Sequence, residues 1–276
     1  MDPRELTSIV SLLGAWPGNQ ETCLKDFNEA CLRDALEARL GALSLSTPAD
    51  WLLAAHRDPD EVARLHRACF NSTSAFFRDP WSFCVLEQHV LPELVSRGPA
   101  RIWSAGCAGG QEAFSLAILL EELERRRPTK DRSTIFATDA DPQAPGPAGA
   151  DGYAEAQLQG MSIGRLQRWF EPHADGLAPI PELRARVRFS RHDLLDARAS
   201  SPPEAIFGGF DLICCANVLL YYTLNAQLRI LENLRRALSD RGLLMVGLTE
   251  TRIVKQTNLF IACFDGPFFR AAHGVP

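Results

Sequence analysis

The sequence predicts an α/β fold: an all-helical segment followed by a mostly parallel sheet with helices on both faces. Two patterns predict it. From about residue 5 to residue 70, apolar residues recur at helical spacing, and no part of this stretch alternates as a half-buried strand would. After Trp81, short apolar runs alternate with longer helical segments, which is typical of a parallel sheet. Such sheets bind ligands at the carboxyl ends of their strands, where the strand order reverses.

The N-terminal segment is predicted to form several short amphipathic helices. Pro48 and Pro59 interrupt the helical spacing, so one long helix is excluded. The exposed faces mix acidic and basic residues, which indicates either a solvated surface or a surface that touches a substrate. We expect residues 1–75 to form a small helical domain and residues 76–276 to form a second, larger domain.

The elements of the larger domain follow from the same patterns. Runs such as TIFATD are short and apolar, as strands are, whereas the longer segments keep helical spacing. The predicted strands cover residues 101–106, 134–139, 187–189, 211–217 and 243–249, and the predicted helices cover residues 112–126 and 225–238. Four phenylalanines near the C-terminus are expected to complete the sheet and its packing: Phe260, Phe264, Phe268 and Phe269.

Charge and composition disfavour several classes of function. The formal net charge of −5 removes the general attraction that nucleic acids and anionic membranes have for basic proteins, so a protein partner or a small ligand is favoured. The eight cysteines lie scattered in apolar runs without the spacing of a zinc site, and we expect reduced core residues. Neither a signal peptide nor an apolar run of about 20 residues is present, so we expect a cytoplasmic protein without membrane insertion.

A glycine-rich turn follows the first predicted strand. In AGCAGGQE, Gly106, Gly109 and Gly110 allow the backbone to bend sharply and a ligand to approach closely. Such turns bind dinucleotides or nucleoside cofactors, and some are plain tight turns. The motif is not a phosphate-binding P-loop, because neither Lys-Ser nor Lys-Thr follows it.

The second predicted strand ends at Asp139, where sheets of this kind place a carboxylate that accepts hydrogen bonds from ribose hydroxyls. A carboxylate repels phosphate, which favours adenosylmethionine or NAD over a 2′-phosphorylated cofactor. A lone Asp at this place is also a common helix cap or turn former. Only its combination with the glycine turn points to a nucleoside cofactor.

Two later strand ends also carry polar side chains. RHDLLD places Asp193 where it suits an adenine amino group, and CCANVLLYY places Asn217 and Tyr221 after an apolar strand. Taken singly, Asn217 and Tyr221 are better explained as partners for buried backbone groups.

Six motifs occur in one order between about residue 65 and residue 250: NSTSAFFRDPWSF, RIWSAGCAGGQEAFSLA, IFATDAD, RWF followed by VRFSRHDLL, FDLICCANVLLYY and LLMVGLTE. Together they resemble the CheR family of chemotaxis-receptor methyltransferases. The resemblance implies a Rossmann-like class I methyltransferase sheet, a small helical N-terminal domain and an inserted antiparallel β-subdomain at about residues 160–190.

The resemblance also implies the family's reaction. The methyl group of S-adenosylmethionine passes to glutamate side chains on the cytoplasmic helical domain of a chemoreceptor, forming methyl esters for sensory adaptation and leaving S-adenosylhomocysteine. A glutamate carboxylate is already a nucleophile near neutral pH, so the reaction needs alignment and exclusion of water rather than a strong general base.

Roles for individual residues are implied by their positions in the motifs, and no metal is implied. Arg78 and Tyr221 are the candidate catalytic residues, as positioning groups, because a guanidinium holds a carboxylate in fixed geometry. The candidate cofactor-binding residues are Ser72, Ser74 and Arg78 in the opening motif, Gly106 and Glu112 on the methionine side, Asp139 at the ribose, Asp193 and Leu194 at the adenine, and Asn217 and Val218 near the sulfonium methyl group.

The sequence departs from the family pattern at several positions. Ser72 and Ser74 stand where Asn and Thr are usual, Gln111 replaces a Glu, and Ala216 replaces an Arg. Residues 142–152, with three prolines and three glycines, are predicted to be a loop where the family has a helix. These changes indicate altered substrate geometry, weaker cofactor binding or loss of activity.

Two other functions compete with receptor methylation. The chain is alternatively a docking module of a chemosensory complex that binds the cofactor with weak or no methyltransferase activity, which the changes at Ala216 and Pro145 favour. A third interpretation is methylation of a small molecule or of another protein. The sequence leaves the oligomeric state open.

Overall fold

The computed structural model describes residues 24–58, 60–70, 74–126, 131–141, 152–174, 176–205 and 209–272. Its first helices are α1 (Glu29–Leu43), α2 (Pro48–Arg57) and α3 (Asp60–Ala68). The side chain of Asn28 caps α1 by accepting the Cys31 N–H, and Thr47 caps α2. The prediction of several short helices is confirmed over these residues, while residues 5–23 lie outside the described part.

The remaining elements follow in chain order. Helix α4 (Pro80–Val85) continues through a π-helical turn at Leu86–Val90 into α5 (Leu91–Ser96). Next come β1 (Arg101–Ala105), α6 (Gln111–Arg126), β2 (Thr134–Asp139), α7 (Ile163–Trp169), β3 (Phe170–His173), β4 (Gly176–Pro179), α8 (Pro181–Arg184), β5 (Val187–Arg191), β6 (Phe210–Cys215), α9 (Leu224–Ala237), β7 (Leu238–Val246), α10 (Thr251–Lys255), β8 (Phe260–Ala262) and β9 (Phe268–Ala271). The predicted strands and helices of the larger domain are therefore present, with ends shifted by a few residues.

Seven strands form the main sheet in the order β5-β2-β1-β6-β7-β9-β8. Strands β5, β2, β1, β6 and β7 are parallel, and β9 pairs antiparallel with both β7 and β8. The chain adds strands outward from β1 on one side and then returns to place β6 on the other side. The strand order thus reverses between β1 and β6, where a parallel sheet has its ligand crevice.

Two boundaries differ from the sequence prediction. The strand predicted over residues 243–249 ends at Val246, because the Gly247 N–H donates to the Glu250 side chain instead of to a neighbouring strand. Among the described residues between 160 and 190, β3 and β4 form a two-stranded antiparallel sheet, whereas β5 belongs to the main sheet through its pairing with β2.

The core lies on both faces of the sheet, because alternate residues of each strand point to opposite faces. Trp103 packs with α9 and the N-terminal helices, whereas Ile102 packs with α5 and α6 on the other face. The N-terminal helices therefore share a hydrophobic core with the sheet. The division into domains at residue 75 stays a prediction.

The cysteine prediction is confirmed for most of the described positions. Among these residues no cysteine forms a disulfide, and five are buried: Cys31, Cys69, Cys107, Cys214 and Cys215. Of the four C-terminal phenylalanines, three lie buried in β8 and β9, but Phe264 lies in the connecting turn and is 40% exposed. No helix in the described part of the chain has the length and apolar character that crossing a membrane requires.

Candidate active site

A cavity of about 280 Å³ lies at the carboxyl ends of the parallel strands. Each of the five parallel strands places a residue in its wall: Gly106 after β1, Asp139 at the end of β2, His192 after β5, Asn217 after β6 and Gly247 after β7. Phe27, which precedes α1, and Phe70, which follows α3, also line the cavity. The position of the cavity matches the one that the predicted parallel sheet requires.

Most of the predicted site residues meet in this cavity. Its walls include Ser74, Arg78, Gly106, Glu112, Asp139, Leu194, Asn217, Val218 and Tyr221. Asp193 is buried and is not among the residues that line the cavity; its carboxylate accepts the Leu195 N–H at 2.9 Å. Ser72 lies outside the described residues.

The glycine turn between β1 and α6 is held in place by the end of β2. The N–H groups of Gly106 and Cys107 both donate to the Thr138 carbonyl, at 2.8 and 2.9 Å. Gly106 has a positive φ of 81°, and a Cβ atom added there would lie 2.5 Å from Cγ2 of Val218. Glycine is therefore required here for its backbone conformation and for its missing side chain.

Asp139 forms a turn and also links the end of β2 to the glycine turn. Its Oδ1 accepts the Asp141 N–H at 3.0 Å, as a turn former does, and its Oδ2 accepts the Ala108 N–H of the glycine turn at 2.9 Å. Each carboxylate oxygen has two lone pairs, so acceptor capacity remains toward the cavity. Burial raises the pKa of Asp139, and the backbone N–H groups partly oppose that rise.

Glu112, in the first turn of α6, is a second carboxylate in the cavity wall. Its Oε1 accepts a hydrogen bond from the Ser104 hydroxyl at 2.6 Å. Burial raises the pKa of Glu112 to about 7; the charge of Glu250 acts in the same direction, while Ser104 and Arg78 oppose it. Cationic groups of a ligand would be stabilised beside these carboxylates.

The turn that follows β6 carries Asn217, Val218 and Tyr221. Asn217 adopts a left-handed conformation with φ of 61°. The buried carboxylate of Glu250 accepts the Asn217 N–H at 2.7 Å and the Leu220 N–H at 3.3 Å. On the opposite side, the Asn28 side chain donates to the Leu220 carbonyl at 2.6 Å. The turn is thus held by two segments that are distant in sequence.

Several residues of the site were not singled out from the sequence. His192 lines the cavity with its ring 5.5 Å from that of Trp103, while Glu250 and Asn28 hold the turn after β6. Glu250 ends the motif LLMVGLTE, which was its only sequence signal. Asn28 is marked locally only as a residue that suits a helix cap, and nothing local marks its bond to Leu220, which is 192 residues away.

The positions that depart from the family pattern lie in different places. Ala216 lines the cavity. The Gln111 side chain lies beside Gly109, where an added Cβ would approach Oε1 to 2.6 Å, and it is not among the residues that line the cavity. Residues 142–151 of the predicted loop lie outside the described residues.

The cavity fits a cationic nucleoside cofactor. A glycine cradle at the end of β1, a carboxylate at the end of β2 and a second carboxylate in α6 provide close backbone approach and negative charge without a phosphate-binding loop. These features match S-adenosylmethionine, in which a ribose adjoins a sulfonium group.

Comparison with known proteins agrees with this assignment. Residues 71–266 match the family model described as "CheR methyltransferase, SAM binding domain". The chain is 34% identical over 212 residues to Chemotaxis protein methyltransferase 1 of Pseudomonas aeruginosa, covering 74% of this chain and 75% of that protein. It is 33% identical over 200 residues to the Chemotaxis protein methyltransferase of Listeria innocua, covering 72% of each chain.

A third relative is much longer than this chain. An uncharacterized 104.1 kDa protein of Rhodobacter capsulatus is 31% identical over 260 residues, which cover 93% of this chain but only 26% of that protein. The chain thus spans about a quarter of that relative and about three quarters of the other two. The family match and the geometry of the cavity together identify the cofactor as S-adenosylmethionine, and the chain belongs to the CheR methyltransferase family.

Proposed function

We propose that this chain transfers the methyl group of S-adenosylmethionine to glutamate side chains of a chemoreceptor and so acts as a protein-glutamate O-methyltransferase. The observation that carries the proposal is that Arg78 and Tyr221 line the same cavity as Glu112, Asp139 and Asn217. The names of the relatives from Pseudomonas aeruginosa and Listeria innocua support a role in chemotaxis. Because the chain spans only part of its relatives, the receptor partner is part of the proposal.

The chain's own residues would act by positioning. When bound, S-adenosylmethionine supplies an activated methyl group. Arg78 is an exposed guanidinium in the cavity wall, suited to hold a carboxylate in fixed orientation. Tyr221 and Val218 would form an apolar wall that displaces water from the incoming carboxylate. No general base is required, because a glutamate side chain is ionised near neutral pH.

The proposed cofactor roles of the remaining residues come from the family motifs and are supported by their presence in or beside the cavity wall. We propose that Gly106 and Glu112 contact the methionine part, Asp139 the ribose, and Asn217 the region of the sulfonium. Leu194 lines the cavity and would pack against the adenine, whereas Asp193 would act through the turn that holds Leu194. Ser74 is placed to contribute from the opening motif.

The partner in this proposal is the cytoplasmic helical domain of a chemoreceptor, and the cytoplasm is the corresponding location. The test incubates the protein and a receptor signalling fragment with methyl-labelled S-adenosylmethionine. We expect label in the receptor that is released by mild base, as a methyl ester would be. A receptor fragment with Gln in place of its candidate glutamates is the matched control and should stay unlabelled.

The other outcomes separate the competing functions. Saturable binding of S-adenosylhomocysteine without transfer to any receptor fragment would support the docking module. Transfer to a small molecule, with receptor helices not accepted, would support the third interpretation. The family match favours the enzyme, and so does the presence of most of the predicted site residues in the cavity wall.

A further inference from the structure

Glu250 is a fully buried carboxylate that lies outside the cavity wall. It ends the short helical turn Leu248–Glu250 that follows β7. Two other deeply buried glutamates in the described chain are paired with arginine: Glu61 with Arg39, and Glu121 with Arg186. Within those residues Glu250 makes no ion pair, and its hydrogen bonds come from backbone N–H groups. A buried charge held in this way requires a structural or functional reason.

The N–H groups that bond to Glu250 belong to the two turns that line the cavity. Oε2 accepts the N–H of Asn217 at 2.7 Å and that of Gly247 at 2.8 Å, and Oε1 accepts the Leu220 N–H at 3.3 Å. These N–H groups follow the ends of β6 and β7, where no strand neighbour accepts them. The carboxylate therefore ties together the two strand ends on one side of the crevice.

The absence of a side chain at Gly247 leaves the space that the Glu250 carboxylate occupies. A Cβ atom at Gly247 would lie 2.8 Å from Oε2 and 3.2 Å from the Asn217 backbone nitrogen. Asn217 itself adopts a left-handed conformation, which costs free energy in a residue other than glycine and persists only where surrounding contacts impose it. The bond from the Asn217 N–H to Glu250 is such a contact.

We propose that Glu250 is a positioning residue of the methyl-transfer site, whose carboxylate sets the location of Asn217, Val218 and Tyr221 relative to the glycine turn at Gly106. The link runs through Val218, whose Cγ2 occupies the space beside Gly106. A shift of the turn after β6 therefore changes the cavity on both of its sides. The inference deepens the proposed function, and its cofactor-binding readout does not depend on the identity of the receptor.

The central variant is Glu250→Gln. Glutamine has the same shape as glutamate but only one acceptor oxygen. Its NH₂ group would therefore face a backbone N–H that bonds to a carboxylate oxygen in the wild type, so that two donors meet. We expect the Kd for S-adenosylhomocysteine to rise about 10-fold or more. We also expect kcat at saturating S-adenosylmethionine to fall by a similar factor, because Tyr221 is displaced. Calorimetry gives the Kd, and methyl transfer gives kcat and KM separately.

Glu121→Gln is the matched control. Glu121 is equally buried, but it lies nine residues beyond Glu112 on α6, about 13 Å along the helix, and bonds to Arg186. We expect this variant to lower the melting temperature while leaving Kd and kcat of the folded protein unchanged. An equal loss of binding in both variants would overturn the proposal, because general instability would then explain it.

Glu250→Asp covers the case in which Glu250→Gln does not fold. Aspartate keeps the charge but is one methylene shorter, so it cannot retain its bonds to both Asn217 and Leu220. We expect its Kd to rise at least about threefold. If either folded Glu250 variant has Kd and kcat within twofold of the wild type, Glu250 does not position the site. Wild-type protein that binds S-adenosylhomocysteine but labels no receptor would instead contradict the proposed function alone.

Discussion

The side chain of Val218 occupies the space that a Cβ atom on Gly106 would need, since the added atom would lie 2.5 Å from Cγ2 of Val218. Gly106 follows β1 and Val218 follows β6, so this contact closes the crevice at the point where the strand order reverses. The close approach of the two chain segments depends on the absence of a side chain at residue 106.

Gly106→Ala should therefore disrupt cofactor binding. The added methyl group must push Val218 away, and alanine is strained at a φ of 81°. We expect the free energy of unfolding to fall by about 1–3 kcal/mol and the Kd for S-adenosylhomocysteine to rise at least about 10-fold. Chemical denaturation and calorimetric titration measure the two effects.

Gly98→Ala is the control for this change. Gly98 also has a positive φ, of 137°, but no atom lies within 4 Å of an added Cβ. This variant should lose stability through backbone strain and keep wild-type affinity. If both alanine variants bind the ligand equally well, contact with Val218 does not control the cavity.

Asp139→Ala should abolish detectable binding of S-adenosylhomocysteine. The change removes the acceptor of the Ala108 and Asp141 N–H groups, so the glycine turn keeps its bonds to the Thr138 carbonyl but loses its side-chain link to the end of β2. Leaving these groups without an acceptor costs about 1–3 kcal/mol of stability.

Asp211→Ala is the control, because it removes a comparable bond, from the Arg101 N–H at 2.9 Å, at the opposite end of the sheet. It should lower stability but keep binding, and retention of binding in both variants would contradict a ligand role for Asp139.

Glu112 should make the stability of the protein depend on pH. Burial raises the pKa of Glu112 to about 7, above its ordinary value of 4.5, so the folded state binds this proton more tightly than the unfolded state does. The resulting stabilisation is fully present below pH 4.5 and is lost as the pH rises through about 7. We expect the melting temperature of the wild type to fall over this interval relative to that of Glu112→Gln, without ligand. Parallel melting profiles of the two proteins would show that Glu112 does not titrate in this range.

Asn28 should couple the N-terminal helices to the turn that carries Tyr221. Its side-chain oxygen caps α1, and its amide group donates to the Leu220 carbonyl at 2.6 Å. Asn28→Ala loses both bonds and should cost about 1–2 kcal/mol of stability, with a lower kcat. Asn28→Asp keeps the cap but turns a carboxylate oxygen toward the Leu220 carbonyl, so it should recover only part of the stability while kcat stays low. Recovery of both quantities in the aspartate variant would show that only the helix cap matters.

Local sequence patterns were sufficient for much of the fold. The strand at Thr134–Asp139 was predicted with its observed ends, and the helix at Gln111–Arg126 to within one residue, because burial requires a regular spacing of apolar residues in each. The predicted β-subdomain was less accurate, since short strands such as β3 and β5 look alike in sequence although they belong to different sheets.

By itself, the sequence determined the α/β class, the glycine turn, the carboxylate at the end of β2 and the family resemblance, because each depends on neighbouring residues or on motif order. Only the tertiary structure decided that Leu194 rather than Asp193 lines the cavity, that Val218 fills the space beside Gly106, and that Glu250 and Asn28 hold the turn after β6. These contacts join segments between 30 and 192 residues apart. Their partners are selected by the packing of the whole sheet and its helices, which no local pattern of residues encodes.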